Sequence, residues 1–312
     1  DDGNMKIRKG HVDWQSFLCG IPAGDYVFQD TPYEVKIQKA KDLIKHADAV
    51  IIGAGAGASA AAGICYSGKR FTDHFSEFIE KYGRQYMTDM YEAGFYPFPT
   101  EEAEWGYWSK HALVNRFIPP ALPMYLELFD IVKEKEYFVL TTNVDHQFWK
   151  SGFASDRIFA TQGDYGKIQC ERGCHQKTYD AEALFKKMDD SRKDCLIPTE
   201  LVPKCPVCGG RMSMHLRCDH NFVEDESWHA AADRYADFLE QCEEKKVVLL
   251  ELGVGFNTPI IIRFPFEKLV REHERYRLIR LSQDEAIVPE SFGDRAIGIG
   301  GDMAKVISDL KR

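Results

Sequence analysis

No stretch of these 312 residues approaches the ~18 consecutive apolar residues that a membrane-spanning helix requires. The chain shows no basic-then-apolar leader, so secretion is not expected. It also lacks a cationic excess, with 40 Lys and Arg against 49 Asp and Glu for a net charge of −9. A nucleic-acid backbone is therefore not the expected partner, and neither is a membrane surface. No internal repeat or low-complexity tract occurs. The nine cysteines are an odd number and follow no leader, which argues against a secreted disulfide framework. A reducing cytoplasm is the expected compartment. What remains is 44% hydrophobic and 29% charged, ordinary globular material with length for one large domain or two lobes.

Residues 49–63, AVIIGAGAGASAAAG, organise the rest. Ala49, Val50, Ile51 and Ile52 form an apolar run suited to a buried strand. Gly53, Gly55, Gly57 and Gly63 follow, with small helix-forming residues between the last two. Strand, glycine turn and small-residue helix together let backbone N–H groups approach a pyrophosphate. Glycine turns also serve tight packing, so the stretch alone leaves both readings open.

Around this motif, strands and helices alternate. Residues 33–47 carry a helical apolar spacing, as do 121–135, 228–242, about 260–274 and a closing helix from Asp302. Residues 137–141, 158–161, 247–253, 276–281 and 296–299 read as strands. The alternation predicts an α/β fold: a Rossmann-like parallel sheet with helices on both faces, built from residues 33–66, 119–163 and 218–312. Residues 5–32 are expected to be an irregular N-terminal arm. The aromatic-rich segment 67–118 is read as a helical insertion, either a small lobe with its own core or a lid.

Polar residues at the carboxyl ends of parallel strands stand where open α/β sheets place ligands. Thr141-Thr142-Asn143-Val144-Asp145 and Gln162-Gly163 occupy such places, and Gly253-Val254-Gly255-Phe256-Asn257 forms a second glycine turn. The Thr, Asn and Asp side chains would equally suit a helix N-cap. Segment 164–217 holds Cys170 and Cys174, then Cys205 and Cys208 followed by two glycines. Two close cysteine pairs in one polar segment predict a tetrahedral, structural zinc site. The first pair is wider than usual, and His175 and Cys195 stand as substitute ligands.

In this order the motifs resemble the sirtuins, NAD-dependent protein deacylases and ADP-ribosyltransferases, over roughly residues 35–312. Gly55-Ala56-Gly57 with Ser59, then Gly63-Ile64, matches that family's first NAD motif. Thr142, Asn143 and Asp145 fall in its T-Q-N-I-D motif, Gly253 and Gly255 in its G-T-S turn, and Asp302 with Met303 near its adenine turn. The resemblance implies NAD as a consumed substrate and a structural zinc. It implies that Asp145 hydrogen-bonds the nicotinamide amide and that Asn143 orients the ribose or a water. Gly255 and Asn257 would contact ribose or phosphate, and Arg280 would reach the adenosine ribose. No acidic ribose-binding residue of the dehydrogenase kind follows the second strand, which also favours a consumed NAD over a hydride carrier.

Three departures bear on the reaction. Cys65-Tyr66-Ser67-Gly68 replaces the family's P-D-F-R, leaving Tyr66, Arg70 and Phe71 as candidates around the nicotinamide ribose, or as lobe core. Gln162 replaces the histidine that serves deacylating sirtuins as general base, and a carboxamide cannot take up a proton near neutrality. The acyl-peptide-pairing stretch is degraded to Asn221-Phe222-Val223-Glu224-Asp225. These departures are similar to the macrodomain-linked, class M sirtuins. That likeness implies ADP-ribosyl transfer to a protein acceptor, with a lipoylated glycine-cleavage-H-like carrier as the candidate and a macrodomain protein as the reversing partner. The alternatives are a protein-lysine deacylase with an altered base and a non-catalytic NAD-binding module.

Overall fold

The computed structural model describes residues 7–9, 25–256 and 259–312. Its strands in chain order are β1 (Ile7–Lys9), β2 (Tyr26–Gln29), β3 (Ala49–Ala54), β4 (Glu136–Thr141), β5 (Ile158–Ala160), β6 (Gly163–Cys170), β7 (Thr178–Asp180), β8 (Met212–Leu216), β9 (Val247–Leu252), β10 (Tyr276–Ser282), β11 (Val288–Pro289) and β12 (Ala296–Gly300). Six of them form the central sheet in the order β12-β10-β9-β3-β4-β5, every pair parallel. All six residues of β3 and all six of β9 are buried, which is why β3 reads as an unbroken apolar run and β9 as one interrupted only by Glu251, rather than as alternating strands.

Helices cover both faces, as the sequence predicts. Tyr33–His46, Pro123–Val132 and Met303–Lys311 pack on one face through Ile44, Leu128 and Ile307. Glu226–Gln241 and Arg263–Glu272 pack on the other through Ala231, Phe266 and Val270. The predicted helices 121–135 and 260–274 are shorter at both ends. Pro123 opens the first, as a proline at the first helical position does.

From β3 the chain steps outward through β4 and β5, then crosses back to build β9, β10 and β12 on the other side. The switch point lies between β3 and β9. Ligands of open α/β sheets bind in the crevice outside the carboxyl ends of the strands at such a point.

The predicted irregular arm is in part a strand. β2 lies between β1 and β11 in a small antiparallel sheet. Local sequence did not reveal it, because its partner β11 is about 260 residues away. The helical insertion and the cysteine-bearing segment share one core, in which Trp105, Ala112 and Leu113 pack with Ile168, Phe185 and Met212. They therefore form a single lobe. A second aromatic cluster within it holds Phe71, Phe75, Phe78 and Tyr107.

Beneath the face of β9 and β10 lies a buried ion cluster. Arg280 Nε donates to Glu251 at 2.5 Å, its Nη2 lies 3.4 Å from Glu267, and the Tyr26 hydroxyl donates to Glu267 at 2.6 Å. Burial opposes the Arg280 charge, but Glu251 and Glu267 outweigh it and hold the guanidinium above its ordinary value. With Arg263, also fully buried, the cluster sums to zero charge. Removing one member leaves an uncompensated buried charge, so Arg280→Ala should cost about 3–5 kcal/mol. Urea denaturation checks this, and a loss under 1 kcal/mol would contradict it.

Candidate active site

The two glycine turns meet at the switch point. Gly57 N donates to Gly253 O at 3.0 Å, and Gly55 N donates to Leu252 O at 2.9 Å. Gly253 has φ +61°, and a Cβ there would stand 2.3 Å from Ala58 N, against backbone that cannot yield. A Cβ on Gly57 would meet Gly253 Cα at 2.9 Å. The glycines allow close packing of the two turns, and Gly55, Gly57, Gly253 and Gly255 line the cleft beside them.

That cleft has a volume of about 570 Å³. It is lined by the sequence-predicted Gly55, Ala56, Gly57, Thr142, Gly253, Gly255 and Met303. Sequence reasoning missed its outer wall, Ser282, Gln283, Asp284 and Glu285. The signal was present, since this polar run follows β10 as Thr142–Asp145 follows β4. Gly63 has φ +120° and ends the helix Ala56–Ala62, while Ile64 N caps it by donating to Ser59 O at 2.9 Å. Asn257 lies outside the described residues.

Below the cleft, polar side chains from three elements converge. Asn143 Nδ2 donates to Gly55 O at 2.9 Å, and Asn143 N donates to Thr141 Oγ1 at 3.0 Å. The Asp145 carboxylate accepts from the Ser59 hydroxyl and, at 3.2 Å, from Gln147 N. Asp145 is only 4% exposed, and burial pushes its carboxyl above the usual range. Tyr125, on the helix Pro123–Val132, places its hydroxyl 2.8 Å from Ser59 Oγ. Local periodicity does not single it out, because one tyrosine on an apolar helix face reads as core. The N-cap of the short helix Gln147–Lys150 is His146 rather than a residue of 141–145, although Asp145, one position earlier, accepts from Gln147 N.

Gln162 stands at the same end of the sheet as Asn143. Thr161 N donates to Thr141 O at 3.0 Å and Tyr165 N to Val144 O at 3.1 Å, tying the two segments together. The Gln162 amide oxygen accepts from Thr161 Oγ1 at 3.3 Å. Gly163, at φ +106° with a Cβ position 1.9 Å from His215 O, starts β6 and leads into the small lobe.

Arg280 sits elsewhere than expected, Arg70 and Phe71 take the lobe-core alternative, and Asp302 has a capping role. Arg280 does not reach the cleft: it points to the opposite side of the sheet, into the buried ion cluster, because odd and even residues of β10 face opposite layers. Phe71 is 1% exposed and stacks on Phe75 at 5.6 Å, inside the lobe core. Arg70 is a brace, donating to Cys65 O, Val114 O and Asn115 Oδ1 at 2.7–3.0 Å. Asp302 caps the helix Met303–Lys311 by accepting from Ala304 N at 3.1 Å. Tyr66 packs against both clusters of the lobe, its hydroxyl 2.6 Å from that of Tyr165, and burial pushes it up to about 12. It stays protonated at neutral pH.

The Sγ atoms of Cys170, Cys174, Cys205 and Cys208 all lie within 4.8 Å of one another. Cys170 and Cys208 are 3.7 Å apart, and Cys174 and Cys205 3.6 Å. A tetrahedron with zinc–sulfur bonds of about 2.3 Å requires sulfur separations of about 3.8 Å. The cluster fits zinc, and with four protein ligands such a site is closed and structural. Cys195 is not part of it. It belongs to the core of Phe75 and Tyr107, and its carbonyl lies 2.0 Å from where a Gly106 Cβ would be. His175 is adjacent, with Nδ1 3.1 Å from Cys174 Sγ.

Among known proteins, the chain is 36% identical over 273 residues to a protein ADP-ribosyltransferase of Staphylococcus aureus, covering 87% of this chain and 86% of that one. It is 30% identical over 298 residues to a probable bifunctional ADP-ribose hydrolase/ADP-ribosyltransferase of Fusarium oxysporum, and spans about half of that longer protein (48%). Among solved structures, a Sir2 homologue in complex with NAD superposes with a TM-score of 0.56 at 16% identity, covering 88% of this chain and 93% of that one. Sir2Tm bound to a propionylated peptide gives 0.52 at 17% identity, covering 88% and 96%. No protein-family model matches the chain. Among the described residues no helix is long and apolar enough to cross a membrane.

Proposed function

This chain belongs to the sirtuin-fold protein ADP-ribosyltransferases, and from that premise we propose that it breaks the bond between nicotinamide and ribose C1′ of NAD and transfers ADP-ribose to an acceptor protein. The observation that carries this reading is the convergence of Asn143, Asp145 and Gln162 at one end of the sheet, beside the paired glycine turns.

Cleavage of that bond leaves positive charge on the sugar. The protein must hold the leaving nicotinamide, exclude water and keep one ribose face open to a nucleophile. Asp145 is the group that receives the nicotinamide amide. Asn143 faces the sugar with its carboxamide. The glycine turns, with Thr142 and Met303, hold the remainder of the dinucleotide.

Gln162 separates transfer from deacylation. The sirtuin route to deacylation requires a base to activate a ribose hydroxyl, and a positioned base contributes about 10²–10⁴-fold. Gln162 can hold ribose hydroxyls by hydrogen bonds but cannot accept their proton. An acetylated or propionylated lysine peptide incubated with NAD should therefore yield acyl-ADP-ribose at no more than background. Robust formation of that product would reverse the assignment to a deacylase.

For the acceptor we take a lipoylated glycine-cleavage-H-like carrier, with a macrodomain protein removing the modification. The degraded peptide-pairing stretch Asn221–Asp225 supports an acceptor other than an acyl-lysine peptide. Labelled NAD offered with lipoylated and unlipoylated carriers tests this, because label should enter only the lipoylated one. A reducing cytoplasm suits the free cysteines among the described residues.

A further inference from the structure

Past the end of their shared ladder, the chains leaving β9 and β10 become walls of the cleft. Gly253 N donates to Leu281 O at 2.9 Å. Beyond it, Val254 and Gly255 line the cleft from one segment, and Gln283, Asp284 and Glu285 from the other. Segments that leave a strand ladder open easily unless other contacts tie them. Here the ties converge on Arg263, the first residue of the helix Arg263–Glu272. Its Nη1 donates to Val254 O at 2.6 Å, and its Nη2 donates to Glu285 O at 2.9 Å and reaches Ile287 O at 3.4 Å. The guanidinium lies over the Phe256 ring, 3.8 Å from its centroid. Phe256 N in turn donates to Glu285 Oε2 at 3.2 Å.

We propose that Arg263 is a positioning residue for NAD: its planar fork, bonded to a carbonyl on each wall and seated on Phe256, holds the two walls in the arrangement that receives the dinucleotide. The inference rests on the proposed reading of the cleft for its ligand, though not for its geometry. Arg263 is fully buried, so it acts through Val254 and Glu285 rather than by touching NAD. Glu251, 4.0 Å away, offsets its charge. A buried ion pair is a weak source of net stability beside apolar packing, whereas a guanidinium fork fixes two acceptors at once. Walls already held in the bound arrangement spare NAD the cost of ordering them, so the brace acts on affinity. Asn143, Asp145 and Gln162 belong to other segments, and the chemical step should be nearly untouched.

Arg263→Lys tests the proposal. It keeps a positive charge near Glu251 and removes the fork, because one ammonium cannot span both carbonyls and lie flat on a ring. Calorimetry should show NAD bound about tenfold more weakly or worse, with ADP-ribose weakened by the same factor. Nicotinamide release should show the matching rise in KM, with kcat at saturating NAD within about threefold of wild type. A lowered melting temperature with unchanged KM would make Arg263 a structural member of the ion cluster and overturn the proposal. A lowered kcat at unchanged KM would overturn it too. Hydrogen exchange on NAD-free protein reads the brace without ligand. Residues 254–256 and 283–287 should lose protection together in Arg263→Lys while β9 and β10 keep theirs, and unchanged protection of both segments refutes the brace. If Arg263→Lys does not fold, Phe256→Leu removes the ring beneath the guanidinium, and full NAD affinity there overturns the proposal. Wild-type protein that binds neither NAD nor ADP-ribose would instead fault the reading of the cleft, leaving hydrogen exchange to decide the brace.

Discussion

Asn143→Ala should lower nicotinamide release by about 10²–10³-fold, the usual loss for one preorganised polar group at a site of developing charge. Two effects compete in this variant. Its stability cost is the loss of the bond to Gly55 O, about 1 kcal/mol for a typical intramolecular hydrogen bond. The rate loss corresponds to about 2.7–4 kcal/mol, so catalysis should suffer more than folding. NAD binding should persist, because the walls of the cleft come from the two glycine turns, Thr142 and Met303. Melting temperature, calorimetric NAD binding and nicotinamide release measured on one preparation separate the three. Turnover at the wild-type rate would remove Asn143 from the mechanism. Loss of turnover together with loss of folding would show a residue that only ties β4 to the first glycine turn.

The parallel sheet was legible because strands such as β3 and β9 are almost wholly apolar, Glu251 excepted, and end in glycine turns. The zinc cluster was legible for a related reason: cysteines three or four positions apart can turn their thiolates to one point using local geometry alone. Tyr125 was not legible. Its partner Ser59 is 66 residues distant, and only the assembled fold brings the two hydroxyls together. Arg280 misled because a charged residue near the end of a strand suggests a ligand. Its partners Glu251 and Glu267 lie 29 and 13 residues away and neutralise it in the interior. The separation of insertion and cysteine segment into two modules followed composition, whereas one core holds Trp105 and Leu113 of the first together with Ile168, Phe185 and Met212 of the second. Long-range polar pairing is the information that single-sequence periodicity does not carry.

Zinc removal should produce the largest structural change. Binding of a structural zinc amounts to about 10–16 kcal/mol of apparent free energy in small domains, comparable to the whole stability of a protein this size. Cys205 is buried, and Cys205→Ala leaves three thiolates without a closed tetrahedron. The β7-β6-β8 sheet should lose its hydrogen-exchange protection, and so should Trp105 and Leu113, which share its core. β9, at the centre of the parallel sheet, should keep its protection. Turnover should vanish as well, although none of the described cysteines lines the cleft. Gly163 begins β6 directly after Gln162, and a Cβ there would already collide with His215 O on β8. Disorder in the lobe therefore releases Gln162 from its place beside Asn143. Cys195→Ala is the control: that thiol is packed among aromatics, so one zinc per chain should remain by metal analysis. A Cys205→Ala protein that keeps one zinc, its protection and its activity would mean that His175, 3.9 Å from Cys205 Sγ, completes the site in its stead. Cys205→Ala with His175→Ala would then be the variant that empties it.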